Sequence, residues 1–124
     1  MFAPIANPTT LSPMGLDQQS CVPCRGGIPP LSRFEAAPLL KETPGWTMSA
    51  DDVWIERTFK FPDFKASMAF VTKVGELAED EGHHPDITFG WGYAKVVLYT
   101  HKIHGLHQND FILAAKINKL APSA

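Results

Sequence analysis

Cysteine is almost missing from this chain. Cys21 and Cys24 are the only two in 124 residues, too few for a disulfide framework. A dominant charge is missing too: 11 Lys and Arg stand against 13 Asp and Glu, a formal net charge of −2. That balance excludes a protein built mainly to neutralise phosphates, so no direct nucleic acid binding is expected. No apolar run approaches the roughly 18 residues that cross a bilayer, which predicts no membrane attachment. No Lys or Arg precedes Arg25, so the basic region of a secretory signal and the Arg-rich face of a transit peptide are both absent. These absences predict a soluble, cytoplasmic protein.

What is present suits one globular domain. The length sits within the roughly 100–200 residues usual for a domain. Hydrophobic residues make up 44% and charged residues 19%, enough for a packed core and too apolar for wholesale disorder. Pro4, Pro8, Pro13, Pro23, Pro29 and Pro30 crowd the start of the chain, each fixing its own φ and removing a donor. Residues 1–30 therefore read as a flexible Pro-rich tail ending in the Cys21-Val22-Pro23-Cys24 turn, and a chain cut near residue 30 is expected to fold.

Regular patterns begin at residue 31. Ser32 and Glu35 have capping-box spacing, and Leu39 and Leu40 give a short helix something to bury before Pro44-Gly45 stops it. Residues 46–49 and 53–61 read as a hairpin, with Ile55, Arg57, Phe59 and Phe61 alternating against Trp54, Glu56, Thr58 and Lys60. Pro62-Asp63 supplies a stop and an N-cap. Phe70, Val71, Val74, Leu77 and Ala78 then mark one face of a helix over 64–81, closed by Gly82. Two β-rich runs, 87–91 and 94–100, precede a loop and a last helix over 109–120. The order α-β-β-α-β-β-α predicts an α+β fold, a four-stranded antiparallel sheet with helices packed on one face. The last helix, with Phe111, Ile112, Ala114, Ala115 and Ile117, carries more apolar surface than one sheet face needs, which suits a homo-oligomer or a helix in the core.

All five histidines lie between residues 83 and 107. Surface loops collect polar residues, so a lone His would mean little. The adjacent pair His83-His84 means more. Neighbours in a turn point in different directions, and Pro85 stiffens that turn. Two imidazoles at a sheet end, joined by His101 from the end of the last strand, can hold a small polar substrate, one serving as acid and another as base near neutral pH. A metal is the rival use of these residues. His101, His104 and His107 fall at i, i+3, i+6 across a strand-to-loop junction, which does not gather three rings, and no H-E-x-x-H helix is present. Cys21-x-x-Cys24 is half a zinc knuckle with no βαβ unit around it for a redox role. No metal is expected.

The run Glu79, His83-His84-Pro85, Trp91, His101, Asp110 resembles the signature of the pterin-4a-carbinolamine dehydratase family. That signature is an acidic residue, three residues, His-His-Pro, an aromatic, nine residues, His, a loop, then Asp. The resemblance spans about residues 31–121, which the topology read above also fits. It implies a hydro-lyase acting on 4a-hydroxytetrahydropterins, giving quinonoid dihydropterin and water and so recycling the cofactor of aromatic amino acid hydroxylases. The pterin is then the substrate and no cofactor is implied. By correspondence His83 and His101 are the acid/base residues, while His84 binds and orients the pterin. Glu79 holds a histidine or the pterin, and Pro85 and Asp86 shape the turn beside the substrate. Trp91 is a stacking candidate with strand packing as its alternative. Asp110 closes the substrate-binding set, although a carboxylate in the first turn of a helix is ordinary capping chemistry. Relatives often carry Ser at His107. Histidine is a poor N-cap, so Asn109 or Asp110 is expected to cap the last helix. The resemblance also implies a homodimer or homotetramer. Its alternative to catalysis is a non-catalytic coactivator or assembly-chaperone role on the same fold.

Overall fold

The computed structural model describes residues 15–23 and 25–122. Ser32 caps α1 (Arg33–Lys41): its hydroxyl accepts the Glu35 N–H while the Glu35 side chain accepts the Ser32 N–H, a closed capping box. Pro38 lies inside this helix. It removes one ladder bond and crowds the carbonyl four residues back, which fits a helix of only nine residues. The first hairpin is shorter than the alternation suggests. Its strands are β1 (Thr47–Met48) and β2 (Ile55–Lys60), because Ser49 turns inward and its hydroxyl accepts the N–H groups of Val53 and Trp54.

Asp63 caps α2 (Phe64–Glu81) by accepting the Ala66 N–H at 2.8 Å. Ser67, Phe70, Val74 and Ala78 form its buried stripe. β3 (Asp86–Gly90) and β4 (Tyr93–Leu98) make the second hairpin, turned at Gly92 with φ 83°. A single-turn 3-10 helix (His101–Ile103) leads to α3 (Gln108–Leu120). The sheet is antiparallel throughout, in the order β1-β2-β4-β3. Ile55 and Phe59 from β2 and Ala94, Val96 and Leu98 from β4 present the core face to α2 and α3. Arg57 shares that face. It reaches the edge, donating to Asn118 Oδ1 at 2.6 Å and lying 4.4 Å over the Phe59 ring.

One expectation changes here, and one open alternative is decided. Residues 1–14 and Cys24 lie outside the described residues, but 15–23 are packed rather than mobile. A 3-10 turn over Leu16–Gln18 lies against α3, Leu16 is buried in the core, and Asp17 pairs with Lys119 at 2.5 Å. Burying one leucine is worth about 2 kcal/mol, and the Asp17–Lys119 pair and the side-chain bonds to the Cys21 and Val22 backbone add to it. The surplus apolar surface of α3 also has its explanation within the chain. Asn109 through Ala115 and Ile117 are buried, because the sheet and α2 cover part of the helix while α1 and the Leu16 turn cover more. An extra partner subunit is not needed to account for it.

Candidate active site

The site is built where α2 ends, β4 ends and α3 begins. Gly82 adopts the left-handed conformation (φ 67°, ψ 26°) and its N–H bonds back to Ala78 and Glu79. The next N–H, from His83, also returns to the Ala78 carbonyl at 3.2 Å. This helix-ending motif needs a residue that tolerates positive φ, and it sets the direction in which the His83-His84 pair leaves the helix.

His83 Nε2 lies 2.5 Å from Asp110 Oδ1. Asp110 is fully buried, and its other oxygen accepts from the Thr100 hydroxyl at 2.8 Å and the His107 N–H at 3.0 Å. The carboxylate is thus satisfied three times over, as a buried charge has to be. An ionised carboxylate only accepts, so this contact assigns the shared proton to His83 Nε2. His84 Nε2 meets Glu79 Oε2 at 2.6 Å on the protein surface. His101 opens the 3-10 turn after β4, its ring against that of Tyr99 with centroids 4.2 Å apart and planes tilted by 33°.

A cavity of about 290 Å³ joins these parts, lined by His83, His84 and His101 together with Thr100, Lys102, Asn109, Gly82, Val22 and Pro23. That is near the lower end of volumes that hold small ligands. Among the described residues, no group of three or more His, Cys, Asp and Glu side chains is placed to hold a metal ion. His104, in the left-handed region at φ 51°, and His107 do not line the cavity.

The expected site residues divide into two sets. The three histidines share the cavity, Asp110 backs His83 and Glu79 holds His84. Asp86 begins β3 and Pro85 precedes it, and neither lines the cavity. Trp91 stands apart, 72% exposed at the opposite tip of the β3–β4 hairpin, which at strand rise is roughly 15 Å or more away. His107 corrects the capping expectation: it is the N-cap of α3, its Nδ1 accepting the Asn109 N–H at 3.0 Å. Asp110 completes the box from the third position by accepting the His107 N–H.

Six lining residues were not anticipated as part of the site: Gly82, Thr100, Lys102, Asn109, Val22 and Pro23. Thr100 had a signal in the sequence. The alternation of β4 puts it on the same face as Ala94, Val96 and Leu98, where a hydroxyl has to find a buried partner. Cys21 is half-buried, its Sγ 3.6 Å from the Asn109 carbonyl. Burial, with the Glu81 carboxylate beside it, pushes its thiol up to about 12, so it is a packing group rather than a reactive thiolate.

Known proteins resemble this chain in sequence and in fold. The sequence profile described as "Pterin 4 alpha carbinolamine dehydratase" matches residues 29–120. A protein of Aromatoleum aromaticum, provisionally named a pterin-4-alpha-carbinolamine dehydratase, is 58% identical over 108 residues, covering 87% of this chain and 96% of its own. A similarly named protein of Methylococcus capsulatus is 52% identical, covering 88% and 96%. The crystal structure of a transcriptional coactivator/pterin dehydratase from Brucella melitensis superimposes with a TM-score of 0.71 at 30% identity, covering 75% of this chain and 99% of its own. A pterin dehydratase-like protein described as a RuBisCO assembly factor aligns with a TM-score of 0.55 at 25% identity, covering 64% and 93%. On the profile match and these identities, the chain belongs to the pterin 4 alpha carbinolamine dehydratase family.

Proposed function

We propose that this protein is a hydro-lyase that dehydrates 4a-hydroxytetrahydropterins, with His83, His84 and His101 as its working residues. The observation that carries the reading is the convergence of these three imidazoles on one small cavity, one of them fixed by a buried carboxylate. In the reaction the C–O bond to the 4a-hydroxyl breaks while a C=N bond forms to the neighbouring ring nitrogen. One proton goes to the leaving oxygen and one leaves the ring nitrogen, so the products are quinonoid dihydropterin and water. His83 and His101 exchange these protons, and His84, tethered to Glu79, orients the substrate. Pro85 and Asp86 shape the turn that carries His84. No cofactor enters this scheme, and the pterin is the substrate.

A homodimer or homotetramer and a cytoplasmic setting are part of the same proposal. Exposed apolar side chains support the oligomer, among them Met68 and Phe64, whose ring lies 5.5 Å from that of Phe89. Among the described residues no helix is long and apolar enough to cross a membrane. The non-catalytic alternative is not favoured, since a scaffold has no use for three histidines gathered at one cavity.

The test is dehydration of freshly generated 4a-hydroxytetrahydropterin, followed by ultraviolet absorbance against a no-enzyme control. Wild type should exceed the control. His83→Ala and His101→Ala should each lose about 10²–10⁴-fold of kcat/KM while remaining folded. Wild type matching the control would sink the enzyme reading.

A further inference from the structure

Part of the cavity wall comes from a segment that the proposed chemistry does not use. Val22 and Pro23 line the same space as the three histidines. They belong to the N-terminal stretch that docks on α3 through Leu16. At the cavity Val22 is held by one side chain. Asn109 Oδ1 accepts the Val22 N–H at 2.9 Å, and Asn109 Nδ2 donates to the Val22 carbonyl at 2.6 Å.

A carboxamide is suited to this task, because it offers both an acceptor and a donor to the same residue. Asn109 is itself buried, so its orientation is held. One residue earlier, Glu81 Oε1 accepts the Cys21 N–H at 2.8 Å while Lys116 holds the other Glu81 oxygen at 2.6 Å. The residue after Asn109 is Asp110, which fixes His83. The first turn of α3 therefore positions a histidine and a stretch of wall together.

We infer that Val22 and Pro23 form a wall of the pterin-binding cavity and that Asn109 is the positioning residue that sets it. This rests on the pterin reading of the cavity. The wall touches the proton transfers only through substrate placement, so its loss should appear in binding. A wall held in place before the ligand arrives saves the ordering that a loose segment would need on binding.

The test has two arms, run on wild type, Asn109→Ala and Val22→Ala. In the first, steady-state dehydration of 4a-hydroxytetrahydropterin gives kcat and KM. In the second, 7,8-dihydrobiopterin, which the reaction does not consume, is titrated and its Kd read by fluorescence. Asn109→Ala removes both bonds to Val22 and should raise KM and Kd about five- to twentyfold, with kcat falling less than about twofold. Val22→Ala leaves the anchors intact and trims an exposed side chain, so it should fold normally and weaken binding about two- to threefold. If Asn109→Ala does not fold, Val22→Ala decides the matter alone.

Unchanged KM and Kd in the variants would overturn the inference, as would a fall in kcat at constant Kd. Failure of the wild type to accelerate dehydration would remove the enzyme reading instead, and the titration would still decide the wall. A wild type that binds no dihydropterin would remove both.

Discussion

Two adjacent histidines meet two carboxylates at nearly the same distance, 2.5 Å for His83 with Asp110 and 2.6 Å for His84 with Glu79. Their surroundings are opposite. The first pair is 11% and 0% exposed, the second 61% and 78%. Coulomb attraction at such a distance is several-fold larger away from water, and salt screens it less. Asp110 also collects the Thr100 hydroxyl and the His107 N–H, whereas Glu79 faces an imidazole on the protein surface. Equal distances therefore do not mean equal energies. The buried pair fixes a ring and its tautomer. The exposed pair tethers a ring that water and substrate can move, which suits acid/base work for His83 and an adaptable grip for His84.

The largest expected effect breaks that comparison directly. Asp110→Ala removes the buried partner of His83, the partner of Thr100 and the box that starts α3, and should lower stability by about 3 kcal/mol. Glu79→Ala should leave the melting temperature within error, since exposed pairs contribute little. Thermal or urea unfolding of the two variants beside wild type measures both. Equal losses would mean that exposure does not separate the pairs.

Glu81 and Lys116 sharpen the comparison because they lie between the extremes, at 13% and 19% exposure. Burial works against the charged Glu81, but Lys116 and the Cys21 N–H outweigh it and hold the carboxyl below its ordinary value of 4.5. A depressed folded pKa stabilises the fold wherever the unfolded carboxyl is already ionised, that is above about pH 4.5. The contribution then fades as pH falls through the lower folded value. Glu81→Gln should cost about 1–2 kcal/mol near neutral pH. Wild type and variant should converge in urea unfolding as the pH drops below 4.5. A gap that stays constant with pH would show that the charge on Glu81 is not what the fold uses.

Much of this was legible in the sequence, for reasons that particular residues make plain. Helix α2 was bracketed by Asp63 and Gly82, whose capping and left-handed conformations are local properties of those residue types. The β4 alternation, read one step further, would have exposed Thr100. The spacing from Glu79 to Asp110 collected the histidines because a helix end, a strand end and a helix start all meet at one corner of the sheet. What stayed hidden depends on contacts distant in sequence. The prolines before residue 30 have no period, so nothing local shows that Leu16 is buried against a helix nearly a hundred residues later. Nor does any local pattern join Asn109 to Val22 across 87 residues. The contrast between Asp110 and Glu79 is of the same kind, since both are carboxylates near helix ends and only packing tells them apart.

The smallest expected effect concerns a third histidine, used the opposite way. His83 and His84 each present a ring nitrogen to a carboxylate, but His107 offers Nδ1 as an acceptor to the Asn109 N–H. In that role the ring does what Ser, Asn or Asp does at a helix start, without needing a charge. His107→Ala should therefore cost about 1 kcal/mol or less, and His107→Asn or His107→Ser should restore most of it. The backbone N–H of residue 107 still reaches Asp110 in all three variants, so the box is only half removed and the His83 contact should survive. Urea unfolding reads the stability, and kcat for dehydration reads the contact. Restoration by Asn with kcat unchanged would mark His107 as a cap alone. A fall in kcat that neither Asn nor Ser repairs would mean that the ring itself supports Asp110, and the first turn of α3 would then carry one more group of the active site than the distances assign to it.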